Sequence, residues 1–186
     1  MSANASVDLV KSRLRNAFTW RGDRTDDARY ADVTAWWRRP DLLCELGPAL
    51  ARLFNDTQPT VVIGPESSGC LLGPLVALSL GVGFIEVRKE MPDVSDSDAW
   101  LLWTTPPDYR DRHLTLGFRK HLIAPEDHVL LVDDWIDTGG QAQGAYLLTQ
   151  DAKATWLGAA TVVDALRGNE IRRRLNVRSL LHVREL

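Results

Sequence analysis

Three carboxylates, a threonine and two glycines fall in one short run of this chain, Asp133-Asp134-Trp135-Ile136-Asp137-Thr138-Gly139-Gly140, directly behind the apolar stretch Val129-Leu130-Leu131-Val132. Adjacent carboxylates accept hydrogen bonds from neighbouring hydroxyls, and together they can help hold a hard, oxygen-seeking cation such as Mg²⁺. A Thr-Gly-Gly turn that opens a helix lets backbone N–H groups converge on an anion at the positive end of the helix. The run therefore offers a diol site, Asp133 and Asp134, beside a monophosphate site at Asp137, Thr138, Gly139, Gly140 and Gln141. A ribose 5-phosphate carries both groups.

A second run, Gly64-Pro65-Glu66-Ser67-Ser68-Gly69, has the character of another anion-binding loop at a helix N-terminus. Arg88-Lys89 puts two cations at the end of a neighbouring apolar segment. Diphosphate is a natural occupant for Glu66, Ser67, Ser68, Gly69, Arg88 and Lys89 taken together. Two rival phosphate motifs fail. Cys70-Leu71 follows Gly69 where a mononucleotide loop requires Lys-Ser/Thr, and Gly81-Val82-Gly83 lacks the third glycine of a dinucleotide fingerprint.

These residues need strands and helices to hold them. Val129 to Val132 reads as a buried parallel strand, because the apolar run is short and glycines stop it. The acidic pair then meets the crevice at the strand's carboxyl end, where ligands bind in open α/β sheets. Thr60 to Gly64 reads as a second buried strand, Cys70 to Leu80 as the crossover helix and Val82 to Val87 as a third strand, an order that requires a right-handed unit. Spacing places one helix over Val7 to Trp20 and another over Leu42 to Phe54, the latter capped by Asp41, with Leu43, Leu46, Leu50 and Leu53 on its apolar face. Glu90 to Pro107 contains three prolines and exceeds a normal connection, which marks a functional lid. Asp108 to Ile123 reads as an antiparallel pair or a helix. A helix from Ala142, a strand over Thr155 to Ala165, a basic turn or helix over Arg167 to Arg174 and a strand over Val177 to Val183 complete the chain.

Composition bounds the rest. At 186 residues, 45% hydrophobic and 25% charged, the chain is one ordinary globular domain. A net charge of −3 argues against broad nucleic-acid binding, and no apolar run approaches a membrane span. Met1 to Val10 has no signal-peptide core, so a cytoplasmic location is expected. Cys44 and Cys70 sit in apolar segments and read as reduced core residues. The four histidines are scattered and form no metal-ligand cluster. Most of the seven tryptophans read as packing, while Trp135, inside the acidic run, is placed to touch a ligand.

The run from Val132 to Gly140 resembles the phosphoribosyl-diphosphate (PRPP) motif of type I phosphoribosyltransferases. The wider pattern is most similar to adenine phosphoribosyltransferases: Tyr30-Ala31-Asp32-Val33-Thr34 and Arg39-Pro40-Asp41 resemble their N-terminal hood, Ile63 to Gly69 their diphosphate loop, and Asp108-Tyr109 the Glu-Tyr of their catalytic loop. Ser68 and Ala31 stand where that family usually has arginine, Arg110 replaces a glycine, and Gln141 replaces a hydroxyl residue. Asp137 is instead similar to the acid that faces the base in 6-oxopurine enzymes.

The resemblance implies an α/β fold: a mainly parallel sheet of about five strands flanked by helices, with a small hood in residues 1–40 and a flexible lid over 90–118. It implies transfer of a 5-phosphoribosyl group to a nitrogenous base with Mg²⁺ as cofactor, by a homodimer. The base would meet Tyr30, Ala31 and Trp135, and Asp137 or Asp108 would take the proton. Adenine is the expected base, because a 6-oxygen calls for a donor and the strand from Thr155 to Ala165 has neither lysine nor arginine. Two alternatives use the same fold: a PRPP- or nucleotide-binding regulator, or a transferase of a specialised pathway with another base.

Overall fold

The structure is a computed structural model that describes residues 3–23, 25, 29–89, 99–104 and 114–186. Its centre is a five-stranded, all-parallel sheet in the order β4-β3-β7-β8-β9. The strands are β3 (Val61–Pro65), β4 (Gly83–Val87), β7 (His128–Ile136), β8 (Thr155–Asp164) and β9 (Val177–His182). β3 and β7 are apolar almost throughout because both faces are covered. On one face Leu130 and Val132 pack with Leu46 and Leu50 of α3 (Pro40–Arg52) and Leu72 and Val76 of α4 (Ser68–Leu80). On the other, Val129 and Leu131 pack with Ala145 and Leu148 of α5 (Gly140–Asp151) and with Leu116 and Phe118 of the hairpin β5 (Trp100–Thr104)–β6 (Thr115–Arg119).

Of the expectation for Asp108 to Ile123, the described residues carry one strand, β6, and its antiparallel partner β5 comes from the segment expected to be the lid. Most of the expected lid, including Asp108, lies outside the described residues. β6 is tied to the end of β4 by paired backbone hydrogen bonds between Arg88 and Gly117, at 2.9 and 3.0 Å.

At the N-terminus, α1 (Ala3–Ala17) buries Val10 and Leu14, as its spacing predicts, but ends before Trp20. Trp20 belongs to β1 (Thr19–Arg21), which pairs antiparallel with β2 (Tyr30–Asp32) to form the hood. Arg21 Nε donates to Asp32 Oδ2 at 2.8 Å, and the Asp32 carboxyl is pulled down to about 2 by hydrogen bonds from Thr34 and Arg21. Short α2 (Thr34–Trp37) follows and buries Trp36, whose indole N–H donates to the Leu14 carbonyl at 3.0 Å.

Two local expectations are corrected. Asp41 does not cap α3: Arg39 is the N-cap and Pro40 opens the helix, where its missing N–H costs nothing, while Asp41 pairs with Arg39 at 2.7 Å. The buried positions of α3 are accordingly Leu42, Leu46 and Leu50, with Leu43 and Leu53 only half-buried. Nor are the cysteines in the core: Cys44 is exposed on α3 and Cys70 is half-buried. Both are free.

One contact sets the sheet against α4. A Cβ added at Gly64 would lie 2.3 Å from the Gly69 carbonyl oxygen, and one at Gly69 would lie 2.9 Å from that of Val132. The obstacle at Gly64 is backbone, which cannot swing aside. Gly64→Ala is expected to destabilise the protein by about 1–3 kcal/mol, the usual range for overpacking. Urea unfolding of the variant against wild type measures it.

Candidate active site

The site lies at the carboxyl ends of the parallel strands. The β3–β7 ladder stops at Ile63–Leu131, whereas the β7–β8 ladder continues to Ile136–Asp164. Asp133 and Asp134 therefore sit inside β7 past the end of its ladder with β3. The strand also changes its facing there. Leu130 and Val132 share a face, yet Trp135 packs on that same face and Ile136 on the opposite one, so strict alternation slips across the acidic pair.

Asp133 is only 8% exposed, and its Oδ1 accepts the Asp134 N–H at 2.9 Å. Burial, with the charge of Asp134 added to it, pushes its carboxyl well above the usual carboxylate range, and Lys89 pulls weakly the other way. Asp134 is half-buried.

After β7, Asp137 and Thr138 are exposed and Gly139 turns with φ +79°. A Cβ at Gly139 would lie 2.9 Å from Ile171, so both conformation and space require glycine. Gly139 is the N-cap of α5 and supplies no side-chain oxygen; the Gly140 N–H donates to Thr138 Oγ1 at 3.4 Å, and the next amides of the first turn can serve an anion. These residues, with Gly140 and Gln141, line a cleft of about 260 Å³ that also reaches Asp133.

The second loop is a two-residue turn, Glu66–Ser67, that leads straight into Ser68 and Gly69 of α4. Glu66, Ser67, Arg88 and Lys89 border a cleft of about 500 Å³, joined by Cys70 and Glu86. Glu66 Oε2 accepts the Lys89 N–H at 2.8 Å, and its other oxygen lies 3.7 Å from Arg88 Nε. The Cys70 thiol is pushed up to about 11 by burial and by Glu86, so it stays protonated.

A third cleft, of about 540 Å³, shares Trp135 and Asp137 with the cleft lined by Thr138 to Gln141. Trp20 and Ala31 of the hood form one wall. Trp135 stacks on Phe18 at 6.2 Å between ring centroids and meets Trp20 edge-on at 6.1 Å. Of the three residues expected at the base, Ala31 and Trp135 line this cleft and Tyr30 does not; it is 64% exposed.

Sequence reasoning missed the far wall. Leu166 and Arg167 follow β8, and His182, Val183 and Arg184 close β9. Their signal was positional, since each follows a strand's carboxyl end. The turn after β8 is held by buried Asp164, which accepts from Arg172 Nε at 2.5 Å and from the Leu166 N–H at 2.9 Å. Arg172 also donates to the Leu166 carbonyl at 2.9 Å. Among the described residues no group of three or more His, Cys, Asp or Glu could hold a metal. The acidic pair can supply only part of a Mg²⁺ shell, which fits an ion that keeps waters and takes substrate oxygens.

Because the native state holds a proton on Asp133 more tightly than the unfolded chain does, stability falls as pH rises from the ordinary carboxylate range to the raised native value, then levels. Asp133→Asn keeps an acceptor for the Asp134 N–H and removes that penalty. Its unfolding free energy is expected to exceed wild type at neutral pH, with the difference vanishing in acid; urea titrations across pH read it.

The comparisons agree with this geometry. The family description "Phosphoribosyl transferase domain" matches residues 39–181. An adenine phosphoribosyltransferase of Streptomyces coelicolor is 34% identical over 160 residues, 85% of this chain and 82% of that protein. The crystal structure of the Rhodothermus marinus adenine phosphoribosyltransferase superposes with a TM-score of 0.77 at 29% identity, covering 95% of this chain and 99% of that one. The Saccharomyces cerevisiae enzyme, complexed with an imino-altritol bisphosphate and adenine, gives 0.75 at 28% identity, covering 94% and 99%. The parallel sheet is thus that of the phosphoribosyltransferases it superposes on, and the chain belongs to the phosphoribosyl transferase domain family.

Proposed function

We propose that this enzyme transfers the 5-phosphoribosyl group of PRPP to a ring nitrogen of a purine, adenine first among them, and releases diphosphate. The observation that carries the reading is the juxtaposition of the acidic pair with both anion loops. Lys89 lies near enough to Asp133 to act on its proton affinity, and Asp133 borders the same cleft as Thr138 to Gln141. The named relatives from Streptomyces coelicolor and Rhodothermus marinus support adenine as the acceptor.

In this reading Asp133 and Asp134 accept from the ribose hydroxyls, and the amides and hydroxyl of Thr138 to Gln141 hold the 5-phosphate. Glu66 to Gly69, Arg88 and Lys89 hold the diphosphate. The bond from C1 to the diphosphate oxygen breaks with its electron pair leaving on diphosphate, while the base nitrogen forms the new bond to C1. Asp137, exposed at the junction of two clefts, takes the nitrogen's proton. Asp108 is the other candidate and lies outside the described residues. Mg²⁺, when bound, adds charge neutralisation at the phosphate and hydroxyl oxygens. Most of the chain's own work is positioning and charge stabilisation.

Asp133→Asn with Asp134→Asn is expected to abolish measurable Mg²⁺-dependent PRPP binding, since each charged hydrogen bond is worth about 1.5–3 kcal/mol. Calorimetry on the double variant tests it, and wild-type affinity would refute the site. Diphosphate release with PRPP and adenine tests the activity itself.

We also propose a homodimer through α4. Leu71 and Leu78, a heptad apart on that helix, are 55% and 81% exposed, so an apolar strip faces outward on the element that carries the diphosphate loop. Leu78→Glu is expected to shift a wild-type dimer toward monomer in sedimentation experiments; an unchanged dimer would place the interface elsewhere.

A further inference from the structure

The cleft on the base side carries more positive charge than a neutral purine requires. Arg29 arrives from the hood, Arg167 from the turn after β8 and Arg184 from the turn after β9, so three separate segments each bring an arginine to one lining. Asp137 is the single carboxylate of that lining. The neighbouring acids are engaged elsewhere. Asp164 is held by Arg172, Asp32 by Arg21, and Glu185 by Arg15 and the His182 N–H.

His182 adds to the same polarity. Its Nδ1 accepts the Arg184 N–H at 3.1 Å, so in the neutral ring the proton sits on the other nitrogen, which is then a donor. Guanidinium groups have no acceptor at all. Among the cleft's side chains, acceptance therefore falls to Asp137, which the transfer reaction uses for the proton of the attacking nitrogen. A 6-amino group gains nothing from further donors. An oxygen anion gains both hydrogen bonds and charge pairing, and a planar carboxylate matches the guanidinium fork.

We infer that the cleft takes, besides adenine, a heterocyclic base bearing an anionic oxygen, either a ring carboxylate or an acidic ring oxo group, as a second phosphoribosyl acceptor, with Arg167 and Arg184 as its specificity-determining residues. The inference rests on the transferase reading and adds an acceptor class to it. The bonds made and broken are those of the adenine reaction: nitrogen to C1 forms, C1 to diphosphate oxygen breaks with its electrons on diphosphate, and the nitrogen's proton goes to Asp137. The absence of lysine and arginine from β8 itself does not oppose this, because Arg167 enters from the turn beyond the strand.

The experiment measures diphosphate release by the full chain with saturating PRPP and Mg²⁺ and four acceptors: adenine, hypoxanthine as a neutral oxo base, xanthine as an acidic oxo base and orotate as a carboxylate. Xanthine or orotate is expected to be turned over with kcat/KM above that of hypoxanthine; which of the two leads separates the acidic oxo group from the carboxylate. The KM of the leading anionic base is expected to rise with salt while that of adenine does not, because the arginines are exposed and their attraction is screened. In Arg167→Gln with Arg184→Gln, the ratio of anionic-base to adenine kcat/KM is expected to fall at least about tenfold, as lost charged hydrogen bonds predict, and the internal ratio cancels any loss of folded enzyme. Turnover of adenine with neither anionic base accepted, or a ratio unchanged in the double variant, overturns the inference and leaves the transferase reading intact. No diphosphate from any base, adenine included, defeats the transferase reading and this inference with it.

Discussion

Three backbones meet where the site begins. Gly64 on β3, Gly69 in the first turn of α4 and Val132 on β7 approach so closely that no side chain fits between them. That contact seats the N-terminus of α4 against the sheet immediately before Asp133. From it follow the shortness of the Glu66–Ser67 turn, the reach of Lys89 toward the acidic pair and the confinement of Cys70 among carboxylates. A larger residue at either glycine would push the start of α4 away from the sheet beside Asp133.

The acidic pair itself opposes folding. A carboxyl as buried as Asp133 is a liability to an isolated protein, which a hydrogen bond from its neighbour's backbone and the attraction of Lys89 offset in part. Such sites are organised for a ligand's groups, here hydroxyls that would replace lost water, and the scaffold bears the strain through its large two-sided core. The slip in alternation after Val132 belongs to the same economy. It sends Trp135 toward the hood and Ile136 into the opposite core, so the strand continues past the acids and still anchors both layers.

Much of this could be read in the chain because it is written locally. The parallel strands are short apolar runs, the anion loops are glycine-bounded, and the Arg88-Lys89 pair follows its strand directly. What could not be read depends on packing. Asp41 has the composition of a cap, but Pro40 before it opens the helix. Cys44 has apolar neighbours in sequence and faces solvent on α3. Tyr30 and Ala31 are consecutive, and the strand's alternation lets only Ala31 line the cleft. The arginines opposite them lie in separate turns, and no spacing rule links Arg29, Arg167 and Arg184. Only the closure of the sheet by β9 and the Asp164–Arg172 bridge brings that wall into being.

The aromatic contact of the hood bears on how such a protein can diversify. Phe18 and Trp20 meet the sheet through Trp135, and among the described residues the hood strands pair only with each other. The hood is therefore held to the body by aromatic packing, with Phe18 set among Trp20, Trp36 and Trp135, rather than by ladder hydrogen bonds to the parallel sheet. Substitutions at Trp20 or Ala31 can reshape one wall of the adjoining cleft without disturbing the parallel ladders or the glycine contacts beneath.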